Sequence, residues 1–120
     1  MTPVDYIART DTIQIATDLR DGGEVVTPIW GVIVDGVPYI RSAYGKDSKW
    51  YKRVQRTGHA AFVDGASRYS ASIENVPDEQ VTRRVDAAYE AKYAAQGDAL
   101  REVVADPVRE YTMRVNFEGQ

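Results

Sequence analysis

Apolar positions along the chain repeat with two different periods, and the change between them divides the sequence. From residue 10 to residue 75 the pattern is that of short strands, interrupted by one helical stretch. In "TDTIQIATDL" (10–19), Ile13 and Ile15 alternate with polar neighbours, which predicts a strand. "RDGGE" (20–24) supplies residues that tolerate positive φ and reads as a hairpin turn. "TPIWGVIV" (27–34) is β-branched and apolar on both faces, so it reads as one central strand. Pro28 must lie near its start or at an edge, because proline cannot donate a ladder hydrogen bond. "DGVP" (35–38) is a second turn, "YIRS" (39–42) a third strand and "AYGKD" (43–47) a loop. "SKWYKRVQR" (48–56) predicts a short helix, with Ser48 as the N-cap candidate and Gly58 ending it. "HAAFVDGASRYSASIEN" (59–75) gives two more strands around Asp64-Gly65.

After Val76 the period becomes helical. In "PDEQVTRRVDAAYEAKYAAQG" (77–97), Val81, Val85, Ala88 and Tyr89 share a face, and Gly97 fits the position after a helix end. Asp98 is placed to cap a second short helix carrying Leu100, Val103 and Val104. "EYTMRVNF" (110–117) returns to alternation at Tyr111, Met113, Val115 and Phe117 and closes the chain with a strand. Short hairpin-linked strands with even spacing imply a mainly β, α+β antiparallel sheet closed as a small barrel.

A length of 120 residues predicts a single domain, 1–120, able to bury a core without disulfides or a structural metal. There is no cysteine, which removes disulfide frameworks and thiolate chemistry and fits a reducing cytoplasm. No apolar run is long enough for a membrane span, and the start has no signal-peptide core. The net charge of −3 argues against a nucleic-acid partner, which needs a broad basic surface. The one histidine, His59, reads as a strand-end residue, so a His-rich metal site is excluded by count. No G-x-S-x-G, P-loop or G-x-G-x-x-G motif is present, and no pair of carboxylates stands out. An enzyme with this inventory takes its chemistry from a cofactor.

Charge is distributed unevenly. Residues 41–56 carry six bases and one acid, a formal +5, so the rest of the chain stands at −8. A strand, a glycine loop and a helix start follow one another there, and a helix N-terminus offers unpaired N–H groups to an anion. Arg41 brings a planar fork, Lys46 and Lys49 point charges, Ser42 and Ser48 hydroxyls, and Gly45 close backbone approach. Trp30 and Trp50, with Tyr39, Tyr44 and Tyr51, could wall a planar heterocycle. The structural alternative makes Lys52, Arg53 and Arg56 a solvated helix face, Trp50 and Val54 that helix's core face, and Trp30 a core residue.

"TPIWGVIVDGVPYIRSAYGKDSKWYKRVQRTGHAAFVDG" (27–65) resembles the pyridoxamine-phosphate-oxidase-like split barrels, which bind flavins. It is most similar to their small deazaflavin-dependent nitroreductase relatives and to an uncharacterised branch beside them. The matching features are Thr27-Pro28, Asp35-Gly36, Tyr39 to Ser42, Gly45, Ser48-Lys49-Trp50, and Ala61 to Gly65, with "DAAYEAKY" (86–93) and the last strand beyond them. The resemblance implies a six-stranded antiparallel split barrel with a short helix after the third strand and a helical excursion before the last. It also implies a homodimer.

By matching position, the resemblance makes Arg41, Ser42, Lys46, Ser48, Lys49 and Trp50 cofactor contacts and places Thr27 and Trp30 nearer the ring. Arg53 stands where the nitroreductases carry asparagine, and Gly45 stands alone where they carry a glycine pair. Both departures leave FMN, a deazaflavin or no cofactor open. The implied activity is a flavin- or deazaflavin-dependent oxidoreductase acting on a small organic substrate. The alternatives are a cofactor-free binding barrel and a non-redox enzyme using the barrel cavity. Tyr89, Lys92 and Tyr93 are the candidate proton donors if the helical excursion covers the barrel mouth. Otherwise they are two core tyrosines and a snorkelling lysine.

Overall fold

The computed structural model describes residues 2–118. Seven strands form one antiparallel sheet: β1 (Ile13–Asp18), β2 (Glu24–Ile29), β3 (Gly31–Val34), β4 (Val37–Arg41), β5 (His59–Asp64), β6 (Ser67–Asn75) and β7 (Thr112–Phe117). Their order across the sheet is β2-β1-β5-β6-β7-β4-β3. The hairpin turns fall at the predicted places, with positive φ at Asp35, Gly36 and Gly65.

The seventh strand arises from a break in "TPIWGVIV". That segment is not one central strand. β2 ends at Ile29, β3 begins at Gly31, and the two are opposite edges of the sheet. One residue, Trp30, therefore joins the two edges, which requires the sheet to curl back on itself as a split barrel. Gly31 sits where the edges converge: a Cβ there would lie 2.8 Å from Ile13 Cδ1 and 3.1 Å from Ile7 Cγ2. Pro28 is in edge strand β2, opposite Gln14, as its missing N–H demands.

Helix α1 (Pro3–Arg9) precedes the sheet. The sequence reading did not place it, although Thr2-Pro3-Val4-Asp5 carries its signal. The Thr2 hydroxyl accepts from the Asp5 N–H at 3.1 Å, and the Asp5 carboxylate accepts from the Thr2 N–H at 3.3 Å, a reciprocal cap with proline at the first turn. Helix α2 (Lys49–Thr57) turns Trp50 and Val54 inward and ends at Gly58, whose φ is +68°. Ser48 stands at its N-cap position, but its hydroxyl makes no capping bond. Helix α3 (Glu79–Lys92) is capped by Asp78 and stops at Lys92. A short 3₁₀ turn and Gly97 then lead into α4 (Asp98–Val104). Asp98 lies in the first turn of α4, paired with Arg101, and does not cap it.

Two apolar clusters result. Ile13, Ile15, Ile40, Phe62, Met113 and Val115 fill the barrel with Trp50 and Val54 from α2. Val85, Tyr89, Tyr93 and Val103 from the helical excursion pack outside it on Val32 and Tyr39. Among the described residues no helix is long and apolar enough to cross a membrane.

Candidate functional site

Trp30, the residue that joins the sheet edges, is held from outside by the end of α3. Its ring stacks on Tyr93 with centroids 4.1 Å apart and planes within 8°. The Tyr89 hydroxyl donates to the Trp30 carbonyl at 3.1 Å. The Tyr93 hydroxyl accepts from the Gly31 N–H at 3.2 Å and donates to the Asp11 carbonyl at 2.6 Å. The Lys92 amine donates to the carbonyls of Ile7 and Gly31 at 2.6 and 2.7 Å. Three residues considered as proton donors thus clamp the barrel closure through its backbone. Burial pushes both tyrosine hydroxyls far above their usual range, which suits their place as fixed hydrogen-bonding groups of the closure.

Burial also pulls the half-buried Lys92 amine down to about 8 from an ordinary 10.5. Between those values the unfolded chain binds more protons than the folded one, so this group makes stability rise with pH across that window. The urea-midpoint advantage of the wild type over Lys92→Met is therefore expected to grow from pH 7 to pH 10. An advantage that shrinks over that range would contradict the assignment.

Arg41, at the end of β4, is engaged within the fold. Its side chain is fully buried and aimed into the helical excursion. Nε donates to Thr112 Oγ1 at 2.8 Å, Nη1 to the Asp86 carboxylate and to the Val103 carbonyl at 3.0 Å, and Nη2 to the Thr82 carbonyl at 2.9 Å. Asp86 is shared with Arg109 at 2.5 Å, and Tyr89 lies under the Arg41 guanidinium at 5.7 Å. The fork expected to meet a phosphate makes these bonds within the protein. Ser42 is likewise internal: its hydroxyl donates to the Gly45 carbonyl at 2.7 Å and fixes the glycine loop. Gly45 itself has φ +61° with the Tyr111 ring 3.0 Å from where a Cβ would stand, so only glycine fits.

The loop so fixed borders a cavity of about 230 Å³ lined by Pro28, Ile29, Trp30, Ala43, Tyr44 and Trp50, with Arg41 at its wall and Ala99, Glu102 and Val103 of α4 across it. Of the predicted cofactor contacts, Trp30, Arg41 and Trp50 meet here. Thr27, Ser42, Lys46, Ser48 and Lys49 are outside the lining. Lys46 and Lys49 are exposed on the same loop and helix start, and neither has a carboxylate partner among the described residues. Tyr44 is 73% exposed, and with Val26 it is one of two large apolar side chains exposed among the described residues. No buried side-chain polar atom lacks a partner among the described residues. Flat rings and the Glu102 carboxylate are therefore what the cavity offers a ligand. The described residues hold no cluster of three or more potential metal ligands.

The sequence reading missed the contribution of α4, because helical periodicity marks its buried face and not the residues at a cavity mouth.

A family model described as "Uncharacterized protein conserved in bacteria (DUF2255)" matches residues 3–115. No curated protein matches the sequence. Solved structures similar in fold include the conserved hypothetical protein Rv2991 from Mycobacterium tuberculosis, at 19% identity and TM-score 0.68, covering 96% of this chain and 78% of that one. The heme storage protein HutZ from Vibrio cholerae aligns at 11% identity and TM-score 0.72, covering 97% and 87%. An F420-H2-dependent reductase (FDR-A) aligns at 14% identity and TM-score 0.65, covering 88% and 94%. The fold is the pyridoxamine-phosphate-oxidase-like split barrel that the sequence resembles.

Proposed function

Because the chain belongs to the DUF2255 family of proteins conserved in bacteria and has the split-barrel fold, we propose that it is a redox protein whose aromatic cavity holds the ring of a flavin or deazaflavin for reaction with a small organic substrate. The observation that carries this reading is the meeting of Trp30, Tyr44 and Trp50 around one cavity at the barrel closure. The residues present fit such a group. Trp30, Tyr44 and Trp50 offer flat apolar walls to a planar ring. A cavity of about 230 Å³ suits the ring end of the ligand, since whole ligands occupy roughly 300–1,000 Å³. The phosphate end then falls to the exposed Lys46 and Lys49 and the half-buried Ser48, whose amines and hydroxyl are not engaged by carboxylates or capping among the described residues.

The ring, when bound, supplies hydride transfer. The chain's own part is to stack the ring, exclude water beneath α4 and hold the loop rigid through the Ser42–Gly45 bond. Fold similarity to the F420-H2-dependent reductase supports the reading. For haem, the ligand of HutZ, the cavity has no histidine: His59 is outside the lining, beside Glu118 at 3.5 Å.

A second copy of the chain is the natural cover for Tyr44 and for Val26 on edge strand β2. Sedimentation at micromolar concentration is expected to show a dimer of the 13.4 kDa chain, and a monomer would remove that cover.

The consumption of Arg41 favours one second reading, a cofactor-free barrel binding a small apolar ligand. Fluorescence separates the two, because the chain has two tryptophans and both line the cavity. Saturable quenching by FMN or by a deazaflavin is expected under the redox reading. The absence of quenching by either, in a purified protein without visible absorption, overturns it in favour of the cofactor-free barrel.

A further inference from the structure

On the far side of α2 from the aromatic cavity, a cleft of about 490 Å³ is lined by Leu19, Arg20, Asp21, Lys52, Arg53 and Arg56. It lies between the β1–β2 hairpin turn and the outward face of the helix. Its charges differ from those elsewhere in their pairing. Among the described arginines, Arg41, Arg68, Arg83, Arg84, Arg101, Arg109 and Arg114 each have a carboxylate within ion-pair distance. Arg9, Arg20, Arg53 and Arg56 do not, and three of these four line this one cleft. The chain has 18 acidic residues against 15 basic ones, so carboxylates are not scarce.

The acid in the lining, Asp21, turns its carboxylate to the Gly23 N–H at 2.9 Å, which serves the hairpin turn and leaves the cations unpaired. The hairpin also positions two of the arginines. Arg53 Nε donates to the buried Thr17 hydroxyl at 2.7 Å, and Arg56 donates to the Asp18 carbonyl. Each guanidinium is thus fixed at one edge, with its remaining N–H groups uncommitted among the described residues.

We propose that this cleft is a binding site for a small polyanion of the pyrophosphate class, separate from the aromatic cavity. Four cations around one space repel one another unless a multiply charged ligand enters. Guanidinium forks match phosphate oxygens in geometry, and an anchored fork loses less freedom on binding than a free one. A phosphoanhydride offers enough oxygens to engage Arg20, Lys52, Arg53 and Arg56 together, whereas a single phosphate does not. Affinity is accordingly expected to rank pyrophosphate above phosphate and to fall steeply with added salt.

The test is calorimetric titration of the full chain with inorganic pyrophosphate at low ionic strength. Replacing both Arg53 and Arg56 with Gln is expected to weaken binding by roughly tenfold or more, since each removes a charge-assisted bond. Arg101→Gln, at an exposed intrahelical pair, is expected to leave it unchanged. The double variant Lys46→Gln/Lys49→Gln separates this site from the proposed cofactor loop. Loss there, with affinity retained in the Arg53/Arg56 variant, would assign the anion to the loop and overturn the cleft. Equal weakening in all three variants would show a diffuse charge effect, and no pyrophosphate binding to the wild type would overturn the proposal outright. None of these outcomes depends on flavin quenching.

Discussion

Arg41→Ala is expected to lose about 3–5 kcal/mol of folding stability, the cost of removing one partner from a buried ion pair. Small proteins have only about 5–15 kcal/mol in total, so the variant sits near the folding threshold. The loss has several parts. Asp86 keeps Arg109 but loses the guanidinium that faces it from inside. The carbonyls of Val103 and Thr82 and the Thr112 hydroxyl each lose a donor. The bonds lost span three elements, so the helical excursion loosens from the barrel as a unit. Urea unfolding at unchanged m-value measures the effect. A cost below about 1 kcal/mol, together with collapse of affinity for a phosphorylated ligand, would show that Arg41 serves the ligand and not the fold.

Tyr93 carries the second large effect. Tyr93→Ala is expected to cost about 3–5 kcal/mol, as for other buried aromatic truncations, because it removes the ring stacked on Trp30. Tyr93→Phe keeps the ring and removes the hydroxyl shared by the Gly31 N–H and the Asp11 carbonyl, at about 1–3 kcal/mol. Tryptophan emission should shift to the red in the alanine variant, as Trp30 gains water, and hold its wavelength in the phenylalanine variant. If Tyr93→Phe left stability intact while turnover vanished, Tyr93 would be a proton donor after all.

Both residues mark the boundary of what local sequence conveys. Alternation at Ile13 and Ile15, and the Asp-Gly turns at 35–36 and 64–65, are local signals, and the strands and hairpins they predict are present. The break at Trp30 is not local. "TPIWGVIV" is apolar on both faces throughout, and what divides it is the curvature of a sheet whose middle strands, β5 to β7, come later in the chain. Gly31 was the one cue, as a strand glycine where backbones converge. The packing of Arg41 is hidden for a related reason. In sequence it stands beside a glycine loop and other cations, while its partner Asp86 lies 45 residues away. Trp30 and Trp50 are legible as a pair because both flank the basic segment in the sequence, and the structure brings both to one cavity. The α4 side of the cavity had no such cue. The cations read as a solvated helix face became a cleft only once the β1–β2 hairpin was folded against them.

The proposed ring-binding site is the cavity between the barrel closure and α4. Ala99 is exposed, lines that cavity from α4, and belongs to neither apolar cluster. Ala99→Phe therefore fills the space without disturbing the core. Equilibrium dialysis of wild type and Ala99→Phe against FMN and a deazaflavin measures the consequence. Affinity for whichever ligand the wild type binds is expected to fall about tenfold or more. Folding stability should stay within roughly 0.5 kcal/mol of the wild type, as for other exposed substitutions. Unchanged affinity in a stably folded Ala99→Phe would contradict it and place the ring elsewhere on the barrel.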